Sequence, residues 1–292
     1  MSVQPLNPAK VEAIDGHFIT RDGLSLSTYR LDSGGRNGPP VILIHGLADH
    51  SRSLPYLKLG GHLLNEGFEV FAFDRRGSGI SQGQPNYAES WSDLRDDLAR
   101  FVDIVEDLCG RLPFLVGMSF GGLQALDFTL ESPDSVPGCV AMAPALDASG
   151  ASPLLRRILP LLVAVAPRLS VDPKLQEGAL TRDPELCRVY RSDPLWRLKT
   201  TPALASATLE AIERMHRNAG AVRKPLLVIH GTADRVVPIH GTRQVFPRFG
   251  SEDKTFLEIP GAYHALPIEP EGDDVCAHIA DWLKLRSAPG QS

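Results

Sequence analysis

The chain has 292 residues, 43% of them hydrophobic, so it can bury a sizeable core as one large α/β domain or as a domain carrying an insertion. A formal charge of −5, with Lys and Arg forming no long block, argues against a nucleic-acid partner. The four cysteines, Cys109, Cys139, Cys187 and Cys276, show neither a CxxC pair nor zinc spacing, which fits reduced thiols in a cytoplasmic protein.

The first ten residues contain no apolar h-region, so no secretory signal is expected. Two β-like segments follow, at 13–20 and 24–31, and the Asp-Gly between them in Arg21-Asp22-Gly23 is a hairpin signal. After a Gly/Pro-rich loop at 33–40 comes Val41-Ile42-Leu43-Ile44, a continuous apolar run of the kind buried in a parallel sheet. Similar runs recur at 70–73, 114–116, 139–142 and 226–229, with a more alternating one at 256–259. Between them lie helical patterns. The clearest has Trp91, Leu94, Leu98, Phe101, Val105 and Leu108 at spacings of three and four, with Asp93 and Asp96 near its start. Strands alternating with helices predict a doubly wound, mostly parallel sheet.

From 147 to 218 the rhythm breaks. There is no buried-strand run, only helix-like segments separated by prolines. This predicts a core made of residues 1–146 and 219–292 with a helical cap, 147–218, inserted between two strands. Such an insertion would sit over the carboxyl edge of the sheet, where open α/β sheets bind ligands. Its most hydrophobic window, 158–166, contains Pro160 and is too short to span a bilayer.

Gly117-Met118-Ser119-Phe120-Gly121 follows the apolar run 114–116 directly and precedes a small-residue helical segment. A serine between two glycines at a strand-to-helix turn is the pattern of a nucleophile elbow, whose strained turn leaves no room for flanking side chains. Such a serine needs a base, and the base needs an orienting acid, in the chain order Ser, Asp or Glu, His. Asp234 follows the strand-like run 226–229, and His264 follows the run 256–259 in a Gly-flanked loop. Asp147, shortly after the run 139–142, is the alternative acid. Asp74 precedes the serine and sits beside Arg75 and Arg76, which suggests a structural ion pair. Among the other histidines, His240 and His278 fall in helical patterns, His230 lies at a strand end, and His17, His62 and His216 have surface-like neighbours.

A tetrahedral intermediate requires two oxyanion donors. The backbone N–H groups of Phe120 and of Leu47, in the turn Ile44-His45-Gly46-Leu47, are the candidates. Gly46, Met118 and Leu146 are candidate substrate-contacting positions. No Gly-Lys-Ser/Thr follows the serine, so this is no phosphate loop. No His-Glu-x-x-His or paired-carboxylate pattern occurs either, so neither metal nor cofactor is expected.

With these residues placed, the chain resembles the α/β-hydrolase superfamily over nearly its whole length. More narrowly, it looks like the monoacylglycerol lipase and lysophospholipase group. The resemblance rests on His45-Gly46-Leu47-Ala48-Asp49-His50-Ser51, on Asp74-Arg75-Arg76-Gly77-Ser78-Gly79-Ile80-Ser81, on the elbow, on Gly231-Thr232-Ala233-Asp234-Arg235-Val236-Val237-Pro238 and on Gly261-Ala262-Tyr263-His264. Ser192-Asp193-Pro194-Leu195 is similar to that group's cap, with Asp193 expected to cap a helix. Members usually carry His before and Met after the nucleophile. Met118 and Phe120 depart from this, which bears on substrate preference, and Phe120 would narrow the acyl pocket or face it.

The resemblance implies an α/β-hydrolase fold and a serine hydrolase that cleaves carboxylic esters through an acyl-enzyme, with monoacylglycerol-like lipids favoured. A serine aminopeptidase or C–C bond hydrolase on the same triad is the alternative, and a non-catalytic binding protein a more remote one. In the family, caps dock on lipid surfaces or line an acyl tunnel. The leucines at 154–162 would either pack the cap onto the core, the commoner role for helix leucines, or touch lipid transiently.

Overall fold

Eight strands make one sheet: β1 (Ala13–Ile19), β2 (Ser25–Leu31), β3 (Pro40–Ile44), β4 (Glu69–Phe73), β5 (Phe114–Met118), β6 (Cys139–Met142), β7 (Leu226–Gly231) and β8 (Lys254–Ile259). The computed structural model describes residues 13–31, 37–149, 152–173 and 178–287. The N-terminal ten residues and the first part of the loop at 33–40 lie outside it.

The spatial order is β1-β2-β4-β3-β5-β6-β7-β8. The β1–β2 hairpin pairs antiparallel with β4, and every later pairing is parallel. The helices are α1 (Leu54–Asn65), α2 (Trp91–Cys109), α3 (Phe120–Glu131), α4 (Pro153–Val165), α5 (Pro184–Arg191), α6 (Pro202–Asn218), α7 (Ile239–Val245) and α8 (Gly272–Ser287).

β3 to β7 are buried at every residue because both faces of the sheet are covered there. Successive side chains alternate between faces. Ile42, Ile44, Phe71, Phe73 and Leu115 join one cluster with α2, α3 and α6, while Val41, Leu43, Val70, Phe114 and Val116 join a second with α1 and α8. The edge strand β8 is only partly buried, Ile259 alone among its residues being buried.

α2 begins with a reciprocal cap between Ser90 and Asp93 and ends at Gly110, whose φ of 65° is a left-handed conformation suited to glycine. Its predicted stripe is buried as far as Val105, but Leu108 is exposed. A 19-residue helix is about 28 Å long, whereas a five-residue strand spans about 17 Å. The last turn therefore overhangs the sheet.

Between β6 and β7 stand α4, α5 and α6, with an isolated bridge between Val171 and Thr200. Three of the prolines open these helices. Pro153, Pro184 and Pro202 each follow a capping side chain, Ser152, Asp183 or Thr201, which accepts first-turn N–H groups. Pro160 instead sits inside α4.

Two expectations change here. Asp193 caps no helix: Oδ1 accepts the Leu195 N–H in a turn, and the helix that follows is capped by Thr201. Its Oδ2 instead meets Nε2 of the buried His50 at 2.9 Å, tying this segment to the loop after β3. The α4 leucines do not chiefly pack inward either. Only Leu159 is buried, while Leu154, Leu161 and Val165 are 69%, 63% and 69% exposed. α6, by contrast, buries Leu204, Ala207, Ala211, Ile212 and Met215 in the same cluster as α2 and α3.

Candidate active site

Ser119 stands between β5 and α3 with φ 59° and ψ −119°, a strained conformation for a residue with a side chain. The surroundings over-determine it. Its N–H donates to the Met142 carbonyl at 2.8 Å, and its own carbonyl accepts from Leu123 and Ala145, each at 3.0 Å. A Cβ at position 117 would run into the Gly121 carbonyl, and one at 121 into the Ile44 carbonyl, so both flanking glycines are demanded by backbone contact.

β7 and β8 deliver the next two residues to the same sheet edge. His264 Nδ1 meets Asp234 Oδ2 at 2.7 Å, and Asp234 Oδ1 accepts the N–H groups of Val236 and Val237 at 2.8 and 2.9 Å. Burial alone would raise the Asp234 carboxyl. The His264 charge, with hydrogen bonds from His230 and His264, outweighs that and holds the group well below the usual carboxylate range. Asp147 bonds the Ser149 N–H and lines a different cleft, so the carboxylate on His264 is Asp234. Among the described residues Ser119 Oγ forms no hydrogen bond to His264; such bonds commonly tighten only when substrate is bound.

Ser119 and His264 line one cavity of about 190 Å³ with Gly46, Leu47, Met118, Phe120 and Ala145. Tyr190, Trp196 and Leu198 close it from the α5–α6 side, and Thr208 reaches it from α6. Gly46 backs directly on the serine, since a Cβ there would lie 3.5 Å from Ser119 Cβ. Phe120 is the first residue of α3, so its N–H has no intrahelical acceptor. Among the described residues neither it nor the Leu47 N–H donates a hydrogen bond to another protein group. Leu146 is a correction. Its side chain is fully buried in the core, it lines the neighbouring cleft, and Ala145 takes its place at the serine.

Asp74 is likewise not an ion-pair partner of Arg75 or Arg76. Its carboxylate accepts from Ser51 N and Oγ, Ile80 N and Tyr29 OH, tying strand β2 to the loops after β3 and β4. Arg76 pairs with Asp97 and Asp22 instead.

Residues 38–271 match the model of a hydrolase family described as serine aminopeptidase S33. The chain belongs to this family. A monoacylglycerol lipase from Mycolicibacterium smegmatis is 32% identical over 83% of this chain and 87% of its own length, and a human monoglyceride lipase is 30% identical over 93% and 91%. A solved monoacylglycerol lipase from Paleococcus ferrophilus superposes with a TM-score of 0.80 at 30% identity, covering 94% of this chain and all of that one. The fold of this family member is the α/β-hydrolase fold, and its class is that of serine hydrolases.

Three neighbours of the site escaped the sequence reading. His230, fully buried, places Nε2 3.3 Å from Asp234 Oδ2 and 2.9 Å from the Val237 carbonyl, with Nδ1 on Thr242 Oγ1. Its position four residues before Asp234 in His-Gly-Thr-Ala-Asp was the available signal. Tyr190 and Trp196 carried no signal, because they approach only when the segment after β6 folds back over the sheet.

Proposed function

We propose that the protein hydrolyses carboxylic esters of slender apolar acyl chains, with monoacylglycerol-like lipids as the favoured substrates. The observation that carries this is the cavity around Ser119: among its lining residues stand the serine and His264, an apolar wall, and no carboxylate. Names of relatives similar over nearly the whole chain point the same way.

In this reading Ser119 Oγ attacks the ester carbon while His264 Nε2 takes its proton. The carbonyl oxygen, now anionic, is held by the N–H groups of Leu47 and Phe120. Collapse expels the alcohol, which leaves with the proton from His264. Water then repeats the sequence on the acyl-enzyme and releases the fatty acid. Asp234 keeps the proton of the neutral imidazole on Nδ1 and balances the imidazolium. Residues 147–218 act as the cap, and the exposed α4 face makes transient contact with the lipid surface from which substrate is drawn. The buried free thiols of Cys139, Cys187 and Cys276, the first and last pushed up to about 12 by burial, fit a reducing compartment such as the cytoplasm.

The family description favours a second reading, a serine aminopeptidase. That activity requires an anionic anchor for the substrate amine, and the cavity lining offers none. The test is turnover of 1-monoacylglycerols, p-nitrophenyl esters and amino-acid p-nitroanilides by the wild type and variants. The expected outcome is ester cleavage that disappears in Ser119→Ala and drops about 10³–10⁴-fold in Asp234→Asn. Cleavage of anilides in preference to esters would hand the protein to the second reading, and a nearly full rate for Asp234→Asn would move the acid to Asp147.

A further inference from the structure

Arg75 is the least explained charge in the molecule. It is 3% exposed, and no carboxylate lies within ion-pair distance of it among the described residues. A buried guanidinium without a paired anion is costly unless its donors are all placed. Here the fork closes on two consecutive carbonyls: Nη1 donates to the His45 oxygen and Nη2 to the Gly46 oxygen, the latter at 2.6 Å.

His45 completes the clamp. Its Nε2 accepts the Arg75 backbone N–H at 3.0 Å, so the proton is on Nδ1, which donates to the same Gly46 oxygen at 2.9 Å. Burial, reinforced by the Arg75 charge, pushes this imidazole well below its usual value and keeps it in that neutral form.

The peptide plane carries the consequence. A trans amide directs its C=O and N–H to opposite sides. The His45–Gly46 unit displays this: its carbonyl is on Arg75, and its N–H donates to Tyr56 OH at 2.8 Å. In the next unit the carbonyl is again held by Arg75 and His45, so the Leu47 N–H is turned the other way, toward the cavity that Leu47 shares with Ser119. The same guanidinium lies 4.7 Å from the ring centroid of Phe120, whose N–H is the other donor candidate.

We propose that Arg75 is the positioning residue of the oxyanion hole: from behind the His45–Leu47 turn it fixes the direction of the Leu47 N–H, while its guanidinium packs on the ring of Phe120, the residue of the second donor. The proposal rests on the reading of Ser119 as nucleophile with Leu47 and Phe120 as donors. It goes beyond that reading by assigning what orients the Leu47 donor. Arg75 touches neither substrate nor serine, and its protonation is secure, because burial lowers it only to about 10.

Arg75→Lys keeps the charge but replaces the planar two-nitrogen fork with one ammonium nitrogen on a flexible stem, and Arg75→Gln loses both charge and fork. Each would be compared with Ser119→Ala and wild type for kcat, KM, thermal stability and inhibition by an alkyl trifluoromethyl ketone, which forms a tetrahedral adduct on serine. The expected result for Arg75→Lys is a fall in kcat of about ten- to a hundredfold, milder than the loss of a whole donor. KM should stay within about twofold, and the ketone Ki should weaken in parallel with kcat/KM, as a transition-state effect requires. A folded Arg75→Lys enzyme with wild-type kcat, or one that loses kcat without weakening the ketone, overturns the proposal while leaving the serine reading intact. An active Ser119→Ala enzyme overturns the reading beneath it. Should neither Arg75 variant fold, the crystal structure of the wild-type ketone adduct decides. An adduct oxygen about 2.7–3.1 Å from Leu47 N and Phe120 N, with Arg75 still on the Gly46 carbonyl, supports the assignment. A Leu47 N–H turned away from the adduct refutes it.

Discussion

The sheet core and the segment between β6 and β7 meet at the same cavity, yet they are built on opposite principles. In the core, β3, β5 and β6 are buried at every residue, and the elbow is held by three backbone hydrogen bonds and two glycines that nothing else can replace. The segment 147–218 leaves large apolar side chains in solvent along α4, although α6 packs into the core, and three of its polar ties reach back to the loop after β3: His50 with Asp193, Tyr190 with Asp49, the Arg197 N–H with the Ala48 carbonyl. All three ties land on residues 48–50, next to the turn that carries Leu47. On the proposed reading, the tightly held backbone stands where bonds would be made and broken, and the exposed apolar surface where substrate would arrive. This division follows from the chemistry, since oxyanion donors must be placed to a fraction of an ångström, whereas a lipid chain needs only an apolar path.

The contrast can be broken most severely at the elbow. Gly121→Ala should cut ester turnover at least about a hundredfold and lower the melting temperature by several degrees, because the new methyl would run into the Ile44 carbonyl and force the strand and helix apart. Calorimetry and a p-nitrophenyl ester assay check this, and a stable, active variant would show the elbow to be adjustable after all.

The exposed face of α4 should respond differently. The double change Leu154→Glu and Leu161→Glu, at exposed positions, should leave stability and cleavage of a soluble short-chain ester unchanged. Turnover of monoacylglycerol presented in vesicles should fall about three- to tenfold, from lost apolar contact and added negative charge. Equal losses on both substrates would mean that α4 packs rather than docks.

The smallest effect is a pH dependence. The Asp234 carboxyl lies below its unfolded value, so its ionised form contributes stability that is complete above about pH 4 and fades as pH falls further through the folded value. The melting-temperature gap between wild type and Asp234→Asn should therefore stay level from pH 8 to 5 and narrow only below about pH 4. A gap that closed near pH 6 would place the loss on a histidine.

Much of this molecule could be read from its letters. The buried strands announce themselves as continuous apolar runs, and the elbow, the Gly-Thr-Ala-Asp turn and the Gly-Ala-Tyr-His loop each follow such a run, so Ser119, Asp234 and His264 could be assigned to one sheet edge before any coordinates. Leu108, Asp193 and Leu146 mark where the reading failed. Periodicity locates a helix face without saying where the sheet beneath it ends. A Ser-Asp-Pro string suits a turn as well as a helix start. A residue one position from the right one points to the other side of the chain.

What the sequence determined by itself was the set of parallel strands and the order of the catalytic candidates, because strand burial and turn strain are local demands written in neighbouring residues. The tertiary structure alone decided that His230 stands behind Asp234, that Tyr190 and Trp196 close the cavity, and that Arg75 grips the carbonyls of His45 and Gly46. These contacts join residues up to about 140 positions apart, or depend on the direction of a carbonyl, and a direction leaves no mark in the sequence.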